Sequence, residues 1–199
     1  VIEPEMLREA CFAYMAEGRG GKLLRSSLAM IAAGAVGGNE ESAIPLSVAI
    51  EIMNVYTLIH DDIIDEDNTR RKGPTVHTEF GIPVAILAGD LNHSLSILAV
   101  LSAENLHREV ALQLVRLLEI TSKKICEGQF YDSAMQQNRL PPTAENYLMM
   151  AERKTACLYG AAAQAGAIIG NATQELALQF FEFGRLLGLG FQIWDDVLG

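Results

Sequence analysis

The 199-residue chain is short of several things, and each shortage narrows what it can be. Its three cysteines, Cys11, Cys126 and Cys157, form no CxxC pair and leave an odd count. That excludes a disulfide framework and fits buried or idle thiols in a reducing, cytoplasmic compartment. Lysine and arginine are scarce, 15 against 25 aspartates and glutamates, for a net charge of −10. Such a balance speaks against nucleic acid as a partner and against a basic helix lying on a membrane. No N-terminal signal pattern is visible. The most apolar run, 84–101, is interrupted by Gly89, Asp90, Asn92, His93 and Ser94, so it reads as a buried helix and not a membrane span. No segment alternates with period 2 long enough to be a strand, and there are no repeats, low-complexity tracts or linkers. A chain of this length can bury a sizeable core as one domain.

What is present is helical periodicity and punctuation. Pro4 opens a helix over 5–17, and Gly18, Gly20 and Gly21 end it. Further helices are expected over 23–36, 42–65 and 83–101, with Pro45 and Pro83 in the first turns of the latter two. Gly73, Pro74 and Gly81 mark 69–81 as a loop. The stretch 104–136 keeps a period near 3.6, interrupted by Gly128, Gln129 and Asp132, which fits a kink or a cavity lining. Thr143 is a natural N-cap for a helix over 147–170, where Gly160 to Gly166 form a small-residue face. A last helix follows Asn171 to Thr173. The expectation is an all-α bundle of about seven helices.

Within that frame the chemistry gathers at 58–77. Asp61, Asp62 and Asp65 stand at i, i+1 and i+4 among Leu58, Ile59, Ile63 and Ile64, and Arg70 and Arg71 follow. On a helix Asp61 and Asp65 share a face, with Asp62 beside them. On a solvated face such a pair costs only about 0.2–0.5 kcal/mol. In a cleft, two carboxylates about 6 Å apart repel by roughly 3 kcal/mol, and a divalent cation has to be there. Carboxylates of this kind suit Mg²⁺, which keeps waters and shares substrate phosphate, and arginines suit forked contacts with phosphate. A second pair, Asp195 and Asp196, follows Gln192 on another apolar helical run. In a bundle two such pairs can face each other across a cavity. Lys22 and Arg25, at a glycine-rich break before a helix, make a phosphate site or simply a loop with solvated cations. A solvated charged helix also remains open for 58–77.

Other chemistries are poorly served. A di-iron carboxylate bundle needs two Glu-x-x-His pairs, and only Glu104 with His107 has that spacing. No GxSxG elbow is present. His60 and His77 flank the aspartates, but among hard oxygen donors they read as hydrogen-bonding residues.

Taken together, Gly21-Lys22-x-x-Arg25, Asp61-Asp62-x-x-Asp65 with Arg70-Arg71, Gly128-Gln129, Lys154-Thr155 and Gln192-x-x-Asp195-Asp196 resemble, in this order, the trans-isoprenyl diphosphate synthases, the farnesyl and geranylgeranyl diphosphate synthases among them. The resemblance covers nearly the whole chain. It implies a single all-α prenyltransferase domain over 1–199, incomplete at both ends, built as a helical bundle around a deep central cavity. It also implies Mg²⁺-dependent condensation of isopentenyl diphosphate with an allylic diphosphate, with three magnesium ions bridging the acidic motifs to the allylic diphosphate. By this resemblance Asp61, Asp65 and Asp195 are metal ligands, with Asp62 and Asp196 supporting them at the metal. Arg70, Lys154 and Gln192 hold the allylic diphosphate, and Lys22, Arg25, Asn54 and Arg71 hold isopentenyl diphosphate. Lys154, Thr155 and Gln192 also stabilise the carbocation. Tyr56, with the smaller Thr57 beside it, floors the cavity in the archaeal short-chain pattern, which implies a C20 product, with C15 next. A homodimer is the usual assembly.

The chain departs from that pattern at three places. Ser26 replaces the usual Pro after the arginine, and Asn54 stands where relatives place His or Gln. Gly199 occupies the expected place of the second motif's last aspartate, which reads as residues omitted before it. A substituted second motif would favour a non-catalytic regulatory subunit. A class I terpene cyclase would share the metal aspartates without needing Lys22 and Arg25.

Overall fold

The computed structural model describes residues 2–16 and 20–198, and the architecture is all-α. Among these residues the helices are α1 (Glu5–Phe12), α2 (Leu24–Ala35), α3 (Ile44–Ile64), α4 (Val76–Phe80), α5 (Ile82–Leu101), α6 (Arg108–Gln136), α7 (Ala144–Ala151), α8 (Cys157–Ile169) and α9 (Gln174–Leu198). Local chemistry starts several of them. Pro45 and Pro83 sit in the first turns of α3 and α5. The Thr143 hydroxyl accepts from the Asn146 N–H at 3.2 Å to cap α7. The Asn39 side chain caps a 3₁₀ turn, Glu40–Ala43, that feeds α3.

The structure differs from the sequence reading in three informative places. First, the helix expected over 147–170 is interrupted by a π-helical turn, Glu152–Ala156, between α7 and α8. Second, the loop expected over 69–81 holds a small hairpin, β1 (Thr69–Arg70) paired antiparallel with β2 (Gly73–Pro74), and then α4. Its two turn residues, Arg71 and Lys72, have φ of 48° and 67°, as a primed hairpin turn demands but without the usual Gly or Asn. Third, α5 is buried along one face only. Ile82, Ile86, Leu87, Leu98 and Leu101 stand exposed on the other. Both Glu40–Ile64 and α5 are long and apolar enough to cross a membrane by length and composition.

The core forms where small residues let helices touch. Helix α8 is buried almost throughout. At Gly166 an added Cβ would lie 2.0 Å from the Ala29 carbonyl oxygen, so α2 and α8 meet backbone to backbone. A principal cluster joins Leu46, Ile50, Met53 and Tyr56 of α3 to Leu114, Leu118 and Ile125 of α6 and to Leu158 and Ala162 of α8. A second cluster packs Tyr14 against Val55, Ile59 and Val76.

Candidate active site

Helix α3 carries the first acidic motif at its C-terminal end, with Asp65 as the cap residue. Asp61 and Asp65 open toward the π turn. The Lys154 ammonium lies 3.0 Å from Asp61, 3.9 Å from Asp65 and 2.6 Å from Asp132 of α6. The Gln129 amide reaches Asp65 at 3.4 Å. Burial pushes the Asp65 carboxyl above its ordinary pKa, and Asp61 adds to the rise while Lys154 opposes it. Burial alone would lower the pKa of Lys154, but Asp61 and Asp132 outweigh it and hold the ammonium above the lysine range. One oxygen, Asp61 Oδ1, is buried and faces the Lys154 ammonium at 3.0 Å.

This donor set fits a hard divalent cation. Its anionic groups are the carboxylates of Asp61, Asp65 and Asp132, gathered around the one ammonium of Lys154. Among the described residues no three carboxylate, imidazole or thiol groups form a complete cage. An ion that keeps several waters and takes ligands from a diphosphate needs no such cage.

Asp62 corrects the expectation that it stands beside its neighbours at the metal. It is 1% exposed and turned into the protein. Its Oδ1 accepts from Arg70 Nε at 2.6 Å, and its Oδ2 accepts from the Tyr14 hydroxyl. A residue one place along a helix is rotated by about 100°, and here that rotation points Asp62 away from the Asp61–Asp65 face. Both of its oxygens are taken. Asp62 therefore anchors Arg70.

The π turn joins the two acidic motifs. Lys154 reaches α3 and α6, while the next residue, Thr155, donates to Gln192 Oε1 of α9 at 2.6 Å. Gln192 in turn donates to Asp196 at 2.9 Å, and Tyr147 donates to the other Asp196 oxygen at 2.5 Å. Asp195 stands exposed beside them. Asp61 and Asp65 of the first motif thus connect to Gln192 and Asp196 of the second through the consecutive side chains of Lys154 and Thr155. π turns recur at functional sites because the extra residue re-aims side chains. Gly128 makes the approach possible, since a Cβ there would sit 2.2 Å from the Lys154 backbone nitrogen. Gly199 lies outside the described residues.

The expected cationic set also converges. The Arg71 guanidinium packs on Gly21, where a Cβ would lie 2.8 Å from Nη2. Arg25 lies with its guanidinium carbon 4.5 Å from the centre of the Tyr159 ring, and its Nε is buried without a hydrogen bond. Burial lowers the pKa of both arginines, and neighbouring arginine charge lowers each further. Lys22 is exposed beside them. Ser26 uses its hydroxyl where proline would have none, donating to Glu51 of α3 at 2.8 Å. Asn54 is buried, on the Asp61 face of α3 two turns below it, so its side chain is enclosed. Thr57 lies one turn below Asp61 and donates to the Asn54 carbonyl at 2.8 Å.

Tyr56 closes the space between α3 and α6. Its hydroxyl meets Ser122 at 2.6 Å, and its ring packs edge-on against His93 and His60. The Asp65–Gln129 and Tyr56–Ser122 contacts are two rungs between the same helices. They are nine residues apart on α3 and seven on α6, about 10–14 Å by helical rise. Ser122 and Tyr14 carried no signal in sequence. Asp132 did, since i+3 and i+4 from Gln129 and Gly128 put it on the same helical face.

Comparison with known proteins gives a consistent result. The polyprenyl synthetase family model matches residues 4–199. The geranylgeranyl diphosphate synthase of Methanosarcina mazei is 44% identical over 198 residues, covering 100% of this chain and 60% of that protein. The short chain isoprenyl diphosphate synthase of Methanothermobacter thermautotrophicus is 41% identical over 197 residues, covering 99% of this chain and 59% of that protein. The crystal structure of geranylgeranyl pyrophosphate synthetase from Pyrococcus horikoshii superposes with a TM-score of 0.92 at 40% identity, covering 99% of this chain and 59% of that one. The chain therefore spans about 60% of the length of these relatives.

Proposed function

The chain belongs to the polyprenyl synthetase family, and from that membership we propose that it condenses isopentenyl diphosphate head-to-tail with an allylic diphosphate to make a prenyl diphosphate, C20 first and C15 next. The observation that carries the reading is the continuous link from Asp61 and Asp65 through Lys154 and Thr155 to Gln192 and Asp196. It supports one allylic diphosphate held between two acidic motifs. Beside it, the crowding of Arg25 and Arg71 supports a second anion site, which favours a two-substrate synthase over a cyclase.

The chemistry follows from the residues. Ionising an allylic C–O bond leaves negative charge on the diphosphate and positive charge on the hydrocarbon. Magnesium bound by Asp61, Asp65 and Asp195 would supply charge to stabilise the leaving group. Lys154 stands where its ammonium can do the same for a diphosphate oxygen. Thr155 and Gln192, hydrogen-bonded to each other at 2.6 Å, would present oxygen dipoles to the developing cation. Arg25, Arg71 and Lys22 hold isopentenyl diphosphate so that its double bond lies over that cation. Water would quench the cation, so the hydrocarbon needs the apolar interior between α3 and α6. No protein nucleophile is required, in keeping with a buried Cys157 whose pKa is pushed up to about 12.

We also place the protein in the cytoplasm as a homodimer. The exposed apolar face of α5 supports the dimer, because a patch of that kind is seldom left to water. The test incubates the intact protein with isopentenyl diphosphate, an allylic diphosphate and Mg²⁺, with and without EDTA, and separates products by length. A metal-dependent prenyl diphosphate is expected. No product would overturn the reading in favour of a regulatory subunit, and a hydrocarbon would do so in favour of a cyclase.

A further inference from the structure

The arginine hairpin and the first acidic helix are held together by a residue from neither. Tyr14 follows α1 and is 1% exposed. Its hydroxyl donates to Asp62 Oδ2 and accepts the Val76 N–H at 3.2 Å. Its carbonyl accepts from Arg71 Nη1 at 3.4 Å. Asp62 in turn holds Arg70 Nε at 2.6 Å. One tyrosine therefore ties α3, both hairpin arginines and the start of α4 to the N-terminal segment.

Physical need for such a tie is clear on both sides. A carboxylate as buried as Asp62 is tolerated only when both oxygens are satisfied. The hairpin is poorly suited to hold itself. Glu66, Arg71 and Lys72 all sit at positive φ, where residues with a Cβ are disfavoured and persist only when surroundings enforce them.

We propose that Tyr14 is a positioning residue that fixes the hairpin against Asp62, so that the Arg70 guanidinium stands ready for diphosphate. The proposal rests on the reading of this site as diphosphate-binding. Tyr14 acts through Asp62 and Arg70. By supplying the donor for Oδ2, it limits Asp62 to one contact with the Arg70 fork. Without that hydroxyl, Oδ2 competes for the remaining Arg70 N–H groups, and a bidentate pair turns them away from the ligand.

The experiment compares the native protein with Tyr14→Phe, Arg70→Ala and the double variant. It measures amide exchange over residues 69–75 and binding of inorganic diphosphate with Mg²⁺ by calorimetry. The phenylalanine keeps the buried ring, so the fold should survive. In Tyr14→Phe, exchange of the hairpin amides should quicken about tenfold, and diphosphate should bind about tenfold more weakly. In the Arg70→Ala background the same change should alter binding by less than about twofold, because contacts acting through one partner are not additive. Unchanged hairpin exchange would overturn the proposal, as would a full tenfold loss without Arg70. A native protein that binds no diphosphate would instead remove the site reading, and hairpin exchange alone would then decide whether Tyr14 is the tie.

Discussion

Replacing Tyr56 with alanine should lengthen the product, and the structure sets both the size of the effect and its cost. Tyr56 is 5% exposed and fills the gap between α3 and α6, with its hydroxyl on Ser122 at 2.6 Å. Truncating a buried aromatic to alanine costs about 3–5 kcal/mol. Leaving the buried Ser122 hydroxyl without its partner adds about 1–3 kcal/mol. The sum is a large share of the roughly 5–15 kcal/mol that holds a domain together, and for a chain of this size it lowers Tm by on the order of 10–20 °C. The assay therefore runs well below the native temperature on protein shown to be folded by circular dichroism. Products from isopentenyl diphosphate and an allylic starter are separated by chain length. With the ring gone, the hydrocarbon should grow past the point about 10–14 Å from Asp65 where Tyr56 now stands. Tyr56→Phe is the control, because it loses only the hydroxyl, about 1–3 kcal/mol, and keeps the plug. Its product should match the native one. A folded Tyr56→Ala protein with an unchanged product would refute the assignment of Tyr56 as the floor.

Two other substitutions probe the π turn. Gly128→Ala forces a Cβ to within 2.2 Å of the Lys154 backbone nitrogen, so the turn must move. It should cost about 1–3 kcal/mol in thermal unfolding and lower turnover on the order of 10²-fold, whereas near-native turnover would show that Lys154 tolerates displacement. Lys154→Gln removes the ammonium that lies between Asp61, Asp65 and Asp132, and turnover should fall on the order of 10²–10³-fold. A cation should then relieve the repulsion that the ammonium now offsets, so Mg²⁺ should raise Tm more in the variant than in the native protein, and an equal rise would contradict that account.

How far the sequence reveals this molecule depends on the range of the interaction that decides each feature. Helices α3, α5 and α7 are legible because proline in the first turn and a Thr143 cap act within a few residues. The small-residue face at 160–166 is legible as a close-packing surface, although nothing local says that α2 and α9 are its partners. The hairpin at 69–74 was hidden because its turn uses Arg71 and Lys72 where turn chemistry predicts Gly, Asn or Asp. The direction of Asp62 was hidden for a different reason. Its neighbours in sequence place it beside a metal, and the partners that hold it inward are Arg70, eight residues on, and Tyr14, 48 residues away.

The π turn is the feature that local pattern is least able to show, and it accounts for why the site assembles. Periodicity continues across 152–156, because one added residue in a long helix leaves the apolar count almost unchanged. Its consequence is geometric. Each residue of a regular helix turns by about 100°, so one extra residue shifts everything after it by about that angle. Helix α8 can then present Gly160 and Gly166 to α9 and α2, while the turn before it aims Lys154 at α3 and α6 and Thr155 at α9. In an uninterrupted helix the packing face and the reacting face would be locked together at one angle. With the turn, the core can be packed as tightly as small residues allow, and two adjacent side chains still span the gap between two acidic motifs.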